Sequence, residues 1–272
     1  TNIKLSESNH IHFPHPSTFN RGECIMNPVR YFVVLSLQRS GTGWFNSLLN
    51  SHTNISMYGE LFAYRYLKQD IEKTIDTLDK VYNMDLEENI TPKNECTSAI
   101  GFIWMLHQNV IRYRNVTVPY IKSNGILPIF LFRKNPLRCI ISLAAAVNDE
   151  TKNVTEKFHT MSKYEAHVLA SYKPTINKVT LVSNIKYMKK QISKCFKLFN
   201  DTPHIRIYYE DLLKNPDKWL DQVQDFIKVP RQKLRSDQIK IHNGPISSLV
   251  SNWEEIVETL NGTKYQKFLY ED

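Results

Sequence analysis

No apolar run in this chain approaches the about 20 residues that a membrane-spanning helix needs. Residues 126–132 form one of the longest runs, and Pro128 interrupts it. The four cysteines, Cys24, Cys96, Cys139 and Cys195, lack the short paired spacings of a zinc site. Cys139 and Cys195 fall in apolar helical patterns and read as core residues, whereas Cys24 and Cys96 lie outside the best-formed elements and are candidates for one bridge. His10, His12 and His15 cluster near the start, but without a cysteine or acidic partner they do not make a metal site. No internal repeat is present, the lysines are scattered, and no nucleic-acid-binding motif occurs. The net charge of +8 and pI of about 9.1 are therefore read as steering for a phosphorylated ligand. An apolar content of 42% over 272 residues suits one sizeable α/β domain, or at most two small ones.

What the chain does have is concentrated in residues 31–44. Residues 31–37, Tyr-Phe-Val-Val-Leu-Ser-Leu, suit a strand buried on both faces of a parallel sheet. Gln38, Arg39, Ser40, Gly41, Thr42 and Gly43 follow as a small-residue turn, and then Trp44, Phe45, Leu48 and Leu49 fall on one helical face. Strand, turn and helix in this order aim backbone N–H groups and a positive helix end at an anion, usually a phosphate. The usual nucleotide-triphosphate loop is excluded in its full form, because neither its leading glycine nor its lysine is present.

Around this centre the pattern alternates strands and helices. Residues 1–29 are polar and aperiodic, an extension or linker before a single domain over 30–272. A short extended piece over 55–58 leads to Gly59 and Glu60, and residues 62–83 have a helical pattern. Strands are expected at 99–105, 127–132 and 205–209, the last followed by Glu210 and Asp211. Helices are expected at 116–124 (with Pro119 in the first turn), from Pro136 through Ala146, at 165–172, 179–199 and 219–227, and in short pieces at 249–260 and 265–269. Residues 149–163 are polar and lid-like. One parallel sheet covered by helices on both faces follows.

Such sheets bind ligands at the carboxyl ends of their strands, where Arg39–Gly43, Arg133–Lys134 and Glu210–Asp211 all fall. The stretch Arg39-Ser40-Gly41-Thr42 resembles the 5′-phosphosulfate loop of sulfotransferases that use 3′-phosphoadenosine 5′-phosphosulfate (PAPS). Arg133 and Lys134, with Ser142 in the next helix, resemble the 3′-phosphate site of the same enzymes. Adding Asn50-Ser51-His52, Gly59-Glu60, Gly101-Phe102 with Trp104, and Tyr209-Glu210-Asp211-Leu212, the chain from about Cys24 onward resembles a plant sulfotransferase family. That family is related to bacterial nodulation-type enzymes and includes the low-germination-stimulant type.

The resemblance implies a P-loop-like sulfotransferase fold, PAPS as donor, PAP as product and no metal. Gln38 through Trp44, with Arg133, Lys134 and Ser142, would hold the cofactor. Arg39, Glu60 and His52 would be catalytic: Glu60 matches the Glu base of tyrosylprotein and nodulation-type enzymes, and His52 is the rival, as cytosolic sulfotransferases use a His. His107 is a weaker candidate. The family often carries a Lys where this chain has Ile103, which puts turnover in question. The acceptor is expected to be a small hydrophobic alcohol or a carbohydrate, with Trp44, Phe62, Tyr64, Tyr66 and Trp104 available to line a pocket. The competing readings are a small-molecule kinase on the same architecture and a non-catalytic nucleotide-binding protein. Neither nucleic acid nor a fixed oligomeric state is implied. Six Asn-x-Ser/Thr sequons, at Asn54, Asn89, Asn115, Asn153, Asn200 and Asn261, exceed the about three expected by chance. They lean towards a glycoprotein of the Golgi lumen whose N-terminal membrane anchor is absent from this chain, with the cytoplasm as the alternative. Asn54, beside the presumed site, and Asn89, close to Pro92, are poor acceptors of a glycan.

Overall fold

The computed structural model describes residues 10–63, 70–86, 95–147, 172–238 and 244–270. Five strands form one parallel sheet: β1 (Arg30–Ser36), β2 (Ile55–Glu60), β3 (Ala99–Met105), β4 (Leu127–Phe132) and β5 (Ile205–Tyr208), in the spatial order β2-β3-β1-β4-β5. The helices are α1 (Thr42–Asn50), α2 (Ile71–Tyr82), α3 (Arg114–Ser123), α4 (Pro136–Val147), α5 (Lys178–Leu198), α6 (Tyr209–Lys214), α7 (Pro216–Phe226) and α8 (Trp253–Leu260). This is an α/β fold with a helix-flanked parallel sheet, as the alternating pattern demands. β1 is central and every residue from Tyr31 to Ser36 is buried, which is why its sequence is a continuous apolar run rather than an alternation.

The described residues fall into two compact units, one within Thr1–Leu37, Gly41–Phe132 and Lys194–Ser236, the other within Gln38–Ser40, Arg133–Ser193 and Asp237–Asp272. The first holds the sheet. Its core joins Phe32, Val34, Ile103, Met105, Ile129 and Leu131 from the strands to Phe45, Leu48 and Leu49 from α1. The second has its own core, in which Leu137 and Ile141 of α4 pack with Leu181, Ile185, Ile256 and Phe268.

Local chemistry explains where several elements begin. Asp70 accepts from the Lys73 N–H at 2.9 Å and caps α2 at Ile71; of the helix expected over 62–83, residues 64–69 lie outside the described residues. Pro216 opens α7 three residues ahead of the apolar pattern at Trp219, its absent N–H costing nothing at a first helical position. α3 begins at Arg114, which places Pro119 inside the helix rather than in its first turn. Buried Thr117 donates from Oγ1 to the Val110 carbonyl at 2.8 Å, tying the helix to the segment before it. β5 ends at Tyr208 and is an edge strand, only partly buried, not the fourth core strand its composition suggests. Glu210 and Asp211 do not cap a strand but lie in the first turn of α6, where the helix dipole favours acids. β2, read as a short extended piece, is the opposite edge strand and pairs with β3. The expected helix at 165–172 and the lid over 149–163 lie outside the described residues, apart from Tyr172, which is not helical.

Cys24 and Cys96 form a disulfide across 72 residues of sequence, while Cys139 and Cys195 are buried thiols. Burial pushes the Cys195 thiol well above its ordinary range. No described helix is long and apolar enough to cross a membrane.

Candidate active site

In the sheet unit the chain leaves β1 and enters α1 at Gly41, whose φ of 82° lies in the left-handed region. A Cβ at this position would stand 2.3 Å from Cδ2 of Tyr209, so the turn requires glycine twice over, for its dihedral and for its closeness to the ring. Trp44 meets the same ring edge-on at 6.2 Å. The first hydrogen bond of α1 runs from the Phe45 N–H to the Gly41 carbonyl at 3.0 Å, leaving the amides of Thr42, Gly43 and Trp44 without helix partners. No side chain caps this end and its first turn holds no acid. An N-terminus in that state presents three donors and a partial positive charge, the elements of an anion site.

Glu60 closes β2 on the same sheet. The register between β2 and β3 shifts between Tyr58 and Glu60, leaving Gly59 unpaired and setting Glu60 opposite Ile103. The carboxylate is solvent-exposed and accepts a hydrogen bond from Gln108 Nε2 at 3.1 Å. Gln108 was not among the residues the sequence singled out. It lies three residues past the fully buried strand β3 and just before Asn109, whose φ of 71° is left-handed, and no sequence pattern marks it.

His52 is 2% exposed and both ring nitrogens are committed: Nδ1 accepts the Asn54 N–H at 3.0 Å, so Nε2 carries the proton and donates to the Pro230 carbonyl at 2.8 Å. His107 is exposed on the loop after β3. Ile103 is 3% exposed in the apolar core with Val34, Phe45 and Met105, an environment that would strip water from a lysine. Phe62 and Trp104 are buried and pack together with tilted rings, centroids 4.8 Å apart, so they are core rather than pocket lining; Tyr64 and Tyr66 lie outside the described residues.

The second unit carries the remaining candidates. Arg39 takes a left-handed φ of 62° and donates from Nε to Ser142 Oγ on α4 at 2.9 Å, joining residues 103 positions apart. Ser40 is fully buried and its Oγ has no hydrogen-bond partner, a cost of a kind structures avoid unless the group has a use. Gln38 is exposed, Arg133 half-buried and Lys134 exposed. Asn135, buried beside them, fixes the start of α4: Oδ1 accepts the Leu137 N–H at 3.0 Å and Nδ2 donates to the Phe268 carbonyl at 2.9 Å. Among the described residues no three His, Cys, Asp or Glu side chains are grouped to hold a metal ion.

A sulfotransferase domain profile matches residues 30–254, which include every candidate above. The chain belongs to the sulfotransferase domain family. Sulfuryl transfer is the general chemistry of that family, and the plant and nodulation-type likeness is not separately supported by the match. Comparison with curated proteins returns no match. Among solved structures, this sulfotransferase-family chain is similar to the sulfotransferase domain of the curacin biosynthetic pathway, at 13% identity and a TM-score of 0.43, covering 88% of this chain and 89% of that one. It is also similar to mouse sulfotransferase SULT7A1, solved with PAP, at 15% identity, TM-score 0.43 and coverages of 88% and 87%. A sulfotransferase from Alicyclobacillus acidocaldarius gives 13% identity, TM-score 0.43 and coverages of 90% and 97%. Family membership rests on the domain match and not on these distant likenesses.

Proposed function

We propose that this protein moves the sulfuryl group of PAPS to an acceptor hydroxyl in line, releasing PAP. The observation that carries the reading is the Arg39–Ser142 hydrogen bond, because it unites the cation of the first motif with the hydroxyl of the second. Each unit by itself has a feature that suits a phosphate: in the second the buried Ser40 hydroxyl lacks a partner, and in the first the opening amides of α1 lack a side-chain cap. In this reading Arg39 and the amides of Thr42 to Trp44 bind the 5′-phosphosulfate and offset the charge that grows on the leaving phosphate. Arg133 or Lys134, with Ser142, binds the 3′-phosphate. Glu60 takes the acceptor's proton as the new O–S bond forms and the bond from sulfur to the bridging phosphate oxygen breaks. His52, held at both nitrogens, is assigned to structure instead.

The acceptor is a small hydrophobic alcohol or a carbohydrate, and the plant-type family likeness is retained as part of this proposal. A disulfide belongs to an oxidising compartment, and Asn115, Asn200 and Asn261 are exposed sequons; both support the Golgi lumen over the cytoplasm. Ile103 favours one rival, a PAP-binding protein without turnover.

Thermal melts with PAP, and separately with ATP and Mg²⁺, are paired with turnover of labelled PAPS across alcohol and carbohydrate acceptors. PAP alone is expected to raise the melting temperature, and ATP with Mg²⁺ is not. Glu60→Gln is expected to keep PAP stabilisation while turnover falls by about 10² or more, and His52→Ala to lose thermal stability ahead of turnover. No PAP stabilisation overturns the cofactor reading. PAP stabilisation with no turnover on any acceptor selects the non-catalytic rival.

A further inference from the structure

The loop that leaves β3 spends an unusual number of interactions on one amide. Gln108 is 3% exposed, and its Oε1 accepts the Met105 N–H at 3.1 Å. That bond settles which end of the amide is which: the NH₂ group is the end that faces Glu60, and Nε2 donates to Glu60 Oε2 at 3.1 Å. The Gln108 main chain is held too, its carbonyl accepting from Trp104 Nε1 at 2.8 Å. Directly beyond it, left-handed Asn109 reverses the chain and accepts the Tyr113 N–H at 2.9 Å. Thr117 Oγ1 then pins Val110. An amide fixed at its own oxygen and on both sides along the chain is a rigid donor, aimed at a carboxylate on the end of an edge strand.

We propose that Gln108 is a positioning residue, holding the Glu60 carboxylate in the orientation that receives the acceptor's proton. This rests on the reading of Glu60 as the base. A glutamine suits the task because it donates without titrating: it fixes one oxygen of the carboxylate while leaving the proton to move between acceptor and Glu60. A lysine there would hold the carboxylate ionised more strongly, and a glutamate would repel it. β2 is an edge strand of the described sheet, and its register with β3 shifts next to Glu60.

The test uses Gln108→Glu and Gln108→Met, each alone and combined with Glu60→Gln. Gln108→Glu keeps an oxygen for the Met105 N–H, loses the donor and adds a charge that repels Glu60; Gln108→Met keeps the bulk and loses both polar atoms without adding charge. Each single variant is expected to lower kcat by about 10- to 100-fold, the cost of a misplaced catalytic group. KM for PAPS should stay within about twofold, and in the Glu60→Gln background the second change should cost less than about twofold. A folded Gln108→Met protein with unchanged kcat overturns the proposal, as does an equal loss in both backgrounds. Where neither variant folds, the side-chain ¹⁵NH₂ resonances of Gln108 are followed in protein altered only by Glu60→Gln. They are expected to move, and their standing still overturns the contact. Failure of the underlying reading is separate: a fully active Glu60→Gln removes the base whatever Gln108 does.

Discussion

The two ends of the same sheet are built on opposite principles. At the amino ends of the strands, side chains are mostly tied into backbone and ring contacts, with only Arg21 Nη1 and His12 Nε2 there buried without a partner among the described residues. Arg21, 1% exposed, gives its Nε to the Glu95 carbonyl and its Nη2 to those of Asn27 and Thr97. The Cys24–Cys96 disulfide ties together the segments that lead into neighbouring strands β1 and β3. His12 bridges Val29 through its backbone and stacks on Tyr31 at 3.8 Å. At the carboxyl ends, donors and charges are displayed instead. α1 begins uncapped behind a left-handed glycine, and Glu60 sits exposed under a fixed amide. One end closes the fold and the other, in the proposed reading, is arranged for a ligand, so damage at the first should appear as lost stability and damage at the second as lost chemistry.

The disulfide gives the largest contrast. Changing both Cys24 and Cys96 to Ser opens a 72-residue loop in the unfolded chain, and loop-closure entropy puts the expected loss of stability at about 4 kcal/mol. Measured below its melting point, the variant should keep turnover, since the bridge joins the segments that lead into the amino ends of β1 and β3. A variant that melts like the parent yet loses activity would erase the division between the two ends.

Gly41→Ala comes next and blurs the division by design. A methyl group placed 2.3 Å from the Tyr209 ring, at φ 82°, is expected to cost about 2 kcal/mol or more as the ring and the turn shift. Because the same turn carries the first amides of α1, PAP stabilisation should fall along with the melting temperature. Equal PAP binding in parent and variant would detach Gly41 from the ligand.

How much of this was legible in the sequence follows from what each part depends on. β1, β3 and β4 are buried on both faces, so their side chains alone report them. β2 and β5 are edges: β5 looks like a core strand because Ile205 and Ile207 are apolar, yet having a neighbour on only one side leaves it partly exposed. The turn after β1 was legible because its glycines mark the break between a buried strand and the start of α1, where Gly41 takes a left-handed φ. The contact of Arg39 with Ser142 is consistent with the motif resemblance, though no spacing rule gives it. Gln108 was not legible at all. Its role depends on a chain reversal at Asn109 and on a partner 48 residues away, and neither leaves a periodic trace. A helix start can rest on a single cap rather than on the apolar pattern, as at Asp70 before α2.

The smallest predicted effect probes the closed end through pH. Burial holds the His12 imidazole down from its ordinary 6.5 to about 4, with the charges of His10 and Arg30 adding to the effect and a hydrogen bond to the backbone of Asn124 opposing it. Across its ring lies Tyr31, whose phenol burial pushes up to about 12, so the stacking partner stays neutral throughout the acid range. The sign follows from the proton count. Below 6.5 the unfolded chain binds a proton at this histidine that the folded chain refuses, so protonation favours unfolding. The contribution of His12 to stability is complete above pH 6.5 and is lost as pH falls through the window down to about 4. His12→Phe keeps a flat ring against Tyr31 and removes the titration. Melting temperatures of parent and variant should run parallel above pH 6.5 and separate below it, the parent falling faster until about pH 4. Curves that stay parallel through the whole window would mean that His12 takes up its proton in the folded state, and the stack at the amino end would then be open to water like the loops at the other end.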